Sequence, residues 1–428
     1  MPLPVGLRVG QSSCRVFVAV IEAVAPTPRR ILLVDCDMFF VQVARLEDPH
    51  GAGREPLLLV GGSPSGRGVV TSASYEARVF GVRSGMPSAQ ALRLCPQAVI
   101  ASVPRGSCAR KSRAINDTLR RLAPVVQAAS IDEFYLDLSG TERLFAEALL
   151  ATAHRIRESV LAETLVSVSV GGGTSRVVAK LAVRRAKPAG ALVIPPGDEE
   201  AFLRSHRLEE LPGVGPAFAD ELKRRGLVRV EDAVRVERDW LRSWLGEGRG
   251  DWLWARMRGI DPTPVNHHDP RKSLSSERTF GRDLARDHDV ERELLRLCVS
   301  VTSGLREESL RARTITVKLR DGDFTTRQSS HTLPDPVETD RAVYAVALPL
   351  VRELRRRRRT GVRLLGVGLS GLIERDDTAE GEAQLGLFPG PKSLESDRDR
   401  ALARVVDDLR DRFGKGAVLP GRVLERED

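Results

Sequence analysis

The sequence is poor in cysteine, and its few cysteines show no pattern. Five occur in 428 residues, at positions 14, 36, 95, 108 and 298. An odd number without paired spacing argues against a disulfide framework and against a zinc site. We therefore expect the protein to work in a reduced, cytosolic compartment.

The sequence also lacks a long uncharged apolar run. The best candidate, residues 16–25, has about half of the ~20 residues that a membrane-spanning helix needs, and it contains Glu22. Residues 1–29 contain several prolines but neither a basic start nor a small-residue cleavage pattern. We interpret them as an extension of uncertain role rather than as a signal peptide.

Positive charge is in excess. The chain has 67 Lys and Arg against 58 Asp and Glu, which gives a formal net charge of +9. Such an excess in a large chain favours a polyanionic partner, most often nucleic acid.

At roughly 100–200 residues per domain, the length predicts about two to four domains.

The pattern of apolar residues changes along the chain. Residues 30–165 alternate strand and helix patterns around one sheet, which predicts an α/β or α+β domain. A helical block follows over 198–260, and the proline-rich residues 262–270 predict a linker. Strand patterns at 314–319 and 364–369 predict a second small α+β domain. The acidic residues from 375 onward predict a flexible tail, which has a helical pattern of unknown role at 398–413.

Four acidic residues follow apolar strands. Asp35 and Asp37 end the apolar run 31–34, and Asp132 and Glu133 lie at a turn between two predicted strands. Mg²⁺ prefers such oxygen ligands and is often held together with substrate phosphates. Two ions ~3.5–4 Å apart would stabilise the attacking and leaving oxygens of a phosphoryl transfer. The alternative is that these acids cap turns or helices, and the residues alone leave both interpretations open.

A second group of residues suits a triphosphate. Tyr75, Arg78, Arg83 and Lys187 offer a hydroxyl, two guanidinium forks and an ammonium group. The alternative is a solvated helix face.

Residues 211–215, Leu-Pro-Gly-Val-Gly, resemble the hairpin of a helix-hairpin-helix. Glycines let backbone N–H groups and a helix N-terminus approach a DNA phosphate closely. An ordinary turn between helices is the alternative.

Five motifs occur in an order that resembles the Y-family of translesion DNA polymerases, most closely the bacterial DNA polymerase IV branch. They are residues 34–40, 68–85, 129–137, 186–190 and 211–215. The resemblance runs from about residue 30 to residue 372, roughly four-fifths of the chain.

The resemblance implies an α+β multidomain fold, a right-hand polymerase. Its parts would be an uncertain extension at 1–29, a palm at 30–39 and 104–194, small fingers at 40–103, a helical thumb at 195–262, an α+β little finger at 271–374 and a flexible tail at 375–428.

The resemblance also implies roles for single residues. Asp35, Asp132 and Glu133 match the catalytic acids that bind two Mg²⁺ ions, with the Cys36 carbonyl as a main-chain ligand. Glu133 matches the acid nearest the attacking 3′-hydroxyl. Asp37 matches a motif acid that does not ligate the metal directly.

Phe40 matches the aromatic steric gate, whose ring leaves no room for a 2′-hydroxyl and so selects deoxynucleotides; a core aromatic is the alternative. The implied nucleotide-binding residues are Phe39, Phe40, Ser72, Tyr75, Arg78 and Lys187. The implied DNA-binding residues are Gly213, Val214, Gly215, Arg278 and Arg363.

Some positions depart from the family pattern. Ser72 and Ser74 stand where Thr and Asn are common, and Arg176 replaces a Lys. Val41, directly after the gate, is bulkier than the usual residue, which predicts an altered nucleotide pocket. The glycine run 171–173, predicted to follow a strand, lacks the Gly-Lys-Ser/Thr of a phosphate loop.

Residues 355–359 are consecutive arginines. A solvated charge run is one interpretation. The other comes from the resemblance, in which the sheet of the little finger lies on the template backbone. Contacts of that kind give affinity but little sequence information.

Gln384, Leu385, Leu387 and Phe388 resemble the bacterial sliding-clamp-binding pentapeptide. Spaced apolar side chains of such a peptide can fill a groove as the peptide orders on binding. Docking on the protein's own surface is the alternative.

The sequence therefore predicts a template-directed, low-fidelity DNA polymerase for translesion synthesis that uses two Mg²⁺ ions and has no proofreading. Its expected partners are primer-template DNA, a dNTP and the sliding clamp, and we expect a cytoplasmic monomer that associates with the nucleoid during repair. Two rivals are a DNA-binding scaffold without catalysis and a nucleotidyl cyclase with paired acids. Activity with Mg²⁺ and a template requirement would separate them.

Overall fold

The computed structural model describes residues 27–145, 147–266, 270–375, 394–414 and 416–421. In these ranges the strands are β1 (Ile31–Cys36), β2 (Leu58–Gly61), β3 (Val70–Ala73), β4 (Val99–Ala101), β5 (Val125–Ala128), β6 (Glu133–Asp137), β7 (Val168–Gly173), β8 (Ala191–Val193), β9 (Ser273–Leu284), β10 (Leu310–Asp321), β11 (Thr326–Val337) and β12 (Val362–Glu374).

The α-helices of the same ranges are α1 (Phe39–Glu47), α2 (Tyr75–Val79), α3 (Ser88–Leu94), α4 (Arg105–Leu122), α5 (Glu142–Phe145), α6 (Leu149–Thr164), α7 (Arg176–Ala186), α8 (Glu199–Arg204), α9 (Pro216–Lys223), α10 (Val230–Val234), α11 (Arg238–Leu245), α12 (Glu247–Met257), α13 (Asp287–Glu307), α14 (Asp340–Arg357) and α15 (Asp397–Phe413). None of these helices combines the length and the apolar composition that a bilayer-spanning segment requires.

The chain divides into two compact units. The first comprises the described residues of Met1–Asp37 and Ser112–Asn266, and the second those of Met38–Lys111 and His267–Asp428. Most of the predicted extension, residues 1–26, lies outside the described residues.

The first unit is built on a five-stranded sheet in the order β5-β6-β1-β7-β8. Every residue of β1 is buried, so the strand formed by the apolar run 31–34 is covered on both faces. β1 is antiparallel to both β6 and β7. The central position of β1 places its acidic end between two neighbouring strands.

The glycine run 171–173 was predicted to follow a strand, and this was wrong. These glycines are the last residues of β7. A Cβ atom on Gly171 would lie 2.1 Å from the backbone N of Val183 and 2.3 Å from the carbonyl O of Ala179, both on α7. The absence of side chains therefore lets α7 pack directly on the sheet.

The predicted helical block at 198–260 is confirmed as α8 to α12. Its apolar residues share a core with α7, including Val178, Leu222, Leu241 and Leu253. The block is therefore joined to the five-stranded sheet through the same helix that packs on β7.

The second unit contains a three-stranded sheet, β3-β2-β4, with α1 beside it. Val41 of α1 is fully buried and packs with Ala44, Leu58 and Val60. The effect of Val41 on the size of the nucleotide pocket therefore stays a prediction, and any such effect would act through this core. One position along a helix turns a side chain by about 100°, and this turn sends Val41 into the core.

The second unit also contains a four-stranded sheet in the order β11-β10-β12-β9. The strand predictions at 314–319 and 364–369 are confirmed as parts of β10 and β12. Alternate residues such as Ile315 and Val317 are buried in a core with α13 and α14, whereas Lys318 is half-buried on the other face.

The helical pattern at 398–413 is confirmed as α15, whereas the flexibility predicted for the tail is corrected for this helix. Ser396 caps its first turn, because the Ser396 Oγ accepts a hydrogen bond from the backbone N of Asp399. The carboxylate of the neighbouring Glu395 accepts bonds from Thr339 N (3.0 Å) and Thr339 Oγ1 (2.7 Å). Arg306 of α13 donates to both oxygens of Asp407. Polar contacts therefore fix α15 to α13 and to the start of α14.

Candidate active site

Strand pairing brings two of the predicted acidic segments together. In the register between β1 and β6, Asp35 is the partner of Glu133. The next residue, Cys36, donates its backbone N–H to the carbonyl of Asp132 at 2.9 Å. Asp35 is 6% exposed, and the other two acids are half-buried. Residues far apart in the chain thus end side by side at one edge of the sheet.

Two lysines hold these acids. Lys187 Nζ donates to Asp35 Oδ1 at 2.5 Å and to the Cys36 carbonyl at 3.3 Å. Lys180 Nζ contacts Glu133 Oε1 and lies 3.6 Å from Asp35 Oδ2. Lys180 was not among the predicted site residues. Its spacing of seven residues before Lys187, about two helical turns, was the available signal.

Burial makes positive charge necessary here. Desolvation by burial raises the pKa of the Asp35 carboxyl, and the nearby Glu133 carboxylate also acts to raise it. The ammonium groups of Lys187 and Lys180 act in the opposite direction and lower it. A buried carboxylate stays ionised only where cations or hydrogen bonds offset its lost hydration. The acids and the two ammonium groups therefore form one charge-balanced cluster.

The carboxylate of Asp132 is engaged elsewhere. Its Oδ1 accepts a hydrogen bond of 2.5 Å from the hydroxyl of Ser130, two residues earlier in the turn. Among the described residues, no three His, Cys, Asp or Glu side chains are gathered as a ready metal site. The structure thus brings the side chains of Asp35 and Glu133 together and leaves that of Asp132 beside them.

The donor set nevertheless fits a hard cation. The Lys187 ammonium group is bound by Asp35 Oδ1 and by the Cys36 carbonyl oxygen, two of the predicted metal ligands. One positive charge is therefore already held by carboxylate and carbonyl oxygens, the donor types that Mg²⁺ prefers.

Asp37 is held by three hydrogen bonds from other residues. Its carboxylate accepts bonds from Ser167 Oγ (2.9 Å), Ser169 Oγ (2.8 Å) and Ala189 N (2.9 Å). It is 2% exposed. Because Ala189 lies two residues after Lys187, Asp37 fixes the segment that delivers the Lys187 ammonium group to Asp35.

The predicted aromatic gate belongs to the second unit. Phe40 is half-buried, and its ring packs edge-on against Phe39 with 5.5 Å between centroids. Phe39 is 1% exposed. Its ring is enclosed in the core and supports Phe40 from behind, and its contact with the nucleotide stays a prediction.

The predicted triphosphate contacts of the second unit lie on and before α2. The Arg78 guanidinium lies 4.9 Å from the centre of the Tyr75 ring, and Arg78 Nε donates to the carbonyl of Ala73 at 3.0 Å. Arg83 donates to the carbonyl of Arg78 at 2.7 Å. Ser72 is buried on β3. Tyr75 and Arg78 are thus pre-arranged as a pair.

The hairpin at 211–215 precedes α9. Gly213 has a φ of 102°, which favours glycine, and a Cβ atom there would lie 2.5 Å from the ring of Trp252. Gly215 is the N-cap residue of α9. Val214 is buried between them and anchors the turn. The two glycines are exposed, which leaves their backbone open to a phosphate.

The predicted DNA contacts of the four-stranded sheet have partners within the protein. Arg278 forms an ion pair with Glu293 of α13 at 2.9 Å. The guanidinium of Arg363 lies 4.4 Å from the centre of the Phe324 ring. Arg278 therefore lies on the helix-covered side of β9.

Part of the arginine run 355–359 stabilises the second unit. Arg355 is buried and binds Asp287 and the carbonyl of Ala285, each at 2.8 Å. Arg358 forms an ion pair with Asp321 at 3.1 Å. These two arginines are committed to internal contacts.

The predicted clamp-binding residues Gln384, Leu385, Leu387 and Phe388 lie outside the described residues.

Comparisons with known proteins point to one family. The impB/mucB/samB family matches residues 34–184, and the C-terminal domain of the same family matches residues 271–387. The chain is 39% identical over 347 residues to DNA polymerase IV of Halorhodospira halophila, covering 81% of this chain and 96% of that protein. It is 39% identical over 352 residues to DNA polymerase IV of Streptomyces coelicolor, covering 82% of this chain and 72% of that protein.

Solved structures agree with these relatives. A Y-family DNA polymerase chimera of Dbh and Dpo4 matches with a TM-score of 0.70 and 26% identity, covering 81% of this chain and 99% of that chain. DinB from Sulfolobus solfataricus matches over the same shares with a TM-score of 0.53 and 26% identity.

Proposed function

Because this chain belongs to the impB/mucB/samB family of Y-family DNA polymerases, we propose that Asp35, Asp132 and Glu133 are its catalytic residues. The chain is a low-fidelity, template-directed DNA polymerase of translesion synthesis and a metal-dependent nucleotidyltransferase. It has the α+β multidomain fold of this family, with palm, small fingers, helical thumb and α+β little finger. A nucleotidyl cyclase is thereby excluded.

The proposed cofactor is a pair of Mg²⁺ ions. Asp35, Glu133 and the Cys36 carbonyl would hold them, and Asp132 would join after exchanging its hydrogen bond to Ser130. When bound, the ions neutralise charge on the phosphate and on the attacking and leaving oxygens. The observation that carries this proposal is the pairing of Asp35 with Glu133 around two ammonium groups.

The protein's own groups prepare the reaction. The primer 3′-hydroxyl oxygen, nearest to Glu133, attacks the α-phosphorus of the dNTP, and the bond to pyrophosphate breaks. The triphosphate is bound by two cations, Lys187 and Arg78, and by the hydroxyl of Tyr75, which donates a hydrogen bond. Phe40 lies under the sugar and excludes a 2′-hydroxyl, and Asp37 holds the segment that carries Lys187.

Other proposed roles concern DNA and the clamp. The exposed backbone of Gly213 and Gly215 binds a DNA phosphate, with Arg363 and the partly exposed Arg278 as further contacts. The motif at 384–388 binds the sliding clamp. We place the palm at 30–39 and 104–194, the fingers at 40–103, the thumb at 195–262 and the little finger at 271–374. The protein acts as a monomer at the nucleoid.

Primer extension by purified variants tests the catalytic assignment. Asp132→Ala and Glu133→Ala should abolish extension in the presence of Mg²⁺ while DNA binding stays close to that of the wild type. Glu158→Ala, an exposed acid on α6, is the matched control and should extend normally. Extension at the wild-type rate by either catalytic variant would contradict the assignment, and activity of the wild type rules out a non-catalytic scaffold.

A further inference from the structure

Lys180 occupies the centre of the acidic cluster. Its Nζ contacts Glu133 Oε1 and lies 3.6 Å from Asp35 Oδ2, so that one ammonium group bridges the two carboxylates. The side chain of Lys180 is 16% exposed and that of Asp35 is 9% exposed. Lys187 contacts Asp35 through the other carboxylate oxygen. The bridge between the two acids is therefore made by Lys180.

The helix that carries Lys180 is held rigidly. α7 begins at its N-cap Ser175, whose side chain accepts a hydrogen bond from Val178 N. The close approach of α7 to Gly171 leaves no space for even one additional carbon atom. Residues on both sides of Lys180, Ala179 and Leu181, are fully buried. The backbone at Lys180 is thus fixed in place, and only a movement of its side chain can take the ammonium group away from the acids.

We propose that Lys180 is a resident counter-ion that competes with the catalytic metal for Asp35 and Glu133. The inference rests on the metal ligands assigned under Proposed function. Two carboxylates close together in a poorly solvated site require positive charge nearby. An ammonium group and a divalent cation bind the same oxygens, and each repels the other. Metal binding therefore has to displace Lys180 from Glu133.

This competition keeps the acidic pair neutralised in the enzyme without substrate. The free enzyme accordingly binds divalent metal weakly, although its carboxylates are already side by side. Lys187, which also contacts Asp35, has a proposed new partner in the triphosphate. No contact with the triphosphate is proposed for Lys180. Its ammonium group therefore acts on the affinity of the site for metal.

Direct metal binding tests the proposal without DNA, dNTP or catalysis. Mn²⁺ is titrated into wild type, K180M and the more polar K180Q, and free Mn²⁺ is followed by electron paramagnetic resonance. Both neutral variants should bind Mn²⁺ with a Kd at least about tenfold lower than the wild type, because a nearby positive charge has been removed. Lys223→Met, an exposed lysine on α9, removes the same charge elsewhere and should leave the Kd unchanged.

Thermal unfolding gives a second readout. Without metal, K180M should melt at a lower temperature than the wild type, because its carboxylates face each other without their cation. At a fixed Mn²⁺ concentration, its melting temperature should rise by more than that of the wild type, since tighter ligands stabilise the folded state more.

The double variant E133Q/K180M separates this inference from the assigned ligands. If the single variant E133Q binds Mn²⁺ more weakly than the wild type but both Lys180 variants bind like the wild type or more weakly, the counter-ion role is overturned and the ligand set stands. If Mn²⁺ binds equally to wild type, K180M and E133Q/K180M, or to none of them, both the ligand set and the counter-ion role are contradicted.

Discussion

At the level of single residues, the buried carboxylate of Asp37 positions the segment that carries Lys187, a proposed substrate contact. Its carboxylate joins Ser167 and Ser169 of one segment to Ala189 of another. The segment thus held carries Lys187, which reaches Asp35 and is proposed to bind the triphosphate. The position of that cation therefore depends on a buried acid.

Asp37→Asn should raise the KM for dNTP by about 10- to 100-fold, the usual effect of losing a group that orients a ligand. The kcat at saturating dNTP should fall less, because the catalytic acids keep their places. Steady-state single-nucleotide insertion measures both constants, and Asp117→Asn, an exposed acid on α4, is the control. An unchanged KM would show that Asp37 does not position Lys187.

Phe40→Ala should admit ribonucleotides, because removal of the ring opens space for a 2′-hydroxyl. The measurement is the ratio of kcat/KM for dNTP and rNTP on one template. Phe413→Ala, which removes an exposed ring at the end of α15, is the control and should leave the ratio as in the wild type. Unchanged sugar selection in Phe40→Ala would remove Phe40 from its proposed role.

Single residues differ in how far sequence could predict them. Asp35 and Glu133 were identified because acids at strand ends are conspicuous, and strand register then sets them side by side. The engagement of Asp132 by Ser130 depends on a side-chain torsion that no motif records. Lys180 was missed because a lysine on a helix also fits a solvated face.

At the level of helices and strands, the packing of α7 on β7 determines the site. Gly171 lies against the backbone of α7, and α7 carries Lys180 and ends before Lys187. The sequence showed the glycines but not which element approaches them, since that depends on tertiary packing. The glycine run 171–173 was therefore predicted to lie outside the strand.

α15 was likewise placed in a flexible tail, because its contacts to Thr339 and Arg306 are remote in the chain.

Gly171→Ala should destabilise the protein by about 1–3 kcal/mol or more, the usual effect of inserting atoms into a filled space. The added carbon would meet backbone atoms of α7, which cannot move aside as a side chain can. Chemical denaturation measures the change. Gly66→Ala, where nothing lies within 4 Å, is the control, and an unfolding midpoint equal to the wild type in Gly171→Ala would refute this account of the packing.

At the level of the whole molecule, the order of elements was predictable and the assignment of the tail was not. The motif order and the helical block indicated the succession of sheet, helices and second sheet that the structure contains. The excess of positive charge indicated a polyanionic partner, which agrees with a DNA polymerase. Charge alone did not identify DNA contacts, since Arg355 and Arg358 bind acids of the protein itself.

The clamp motif is proposed to act on the whole enzyme rather than on its chemistry. Replacing Leu385, Leu387 and Phe388 by Ala should abolish stimulation of primer extension by a bacterial sliding clamp, because the apolar side chains that fill the groove are lost. Extension without clamp should equal that of the wild type. The measurement is product length with and without clamp, and full stimulation of the triple variant would exclude the motif.

We propose that the acids joined by β1 and β6 carry out template-directed DNA synthesis. The variant Asp35→Asn is the sharpest test of this role. This change keeps the shape of the side chain and removes its charge. The rate of single-turnover dNTP incorporation should fall by about 1000-fold or more, since a catalytic metal ligand is lost, while the Kd for primer-template DNA stays near the wild-type value. Incorporation within about tenfold of wild type, which is about 1.4 kcal/mol in barrier height, would contradict the account.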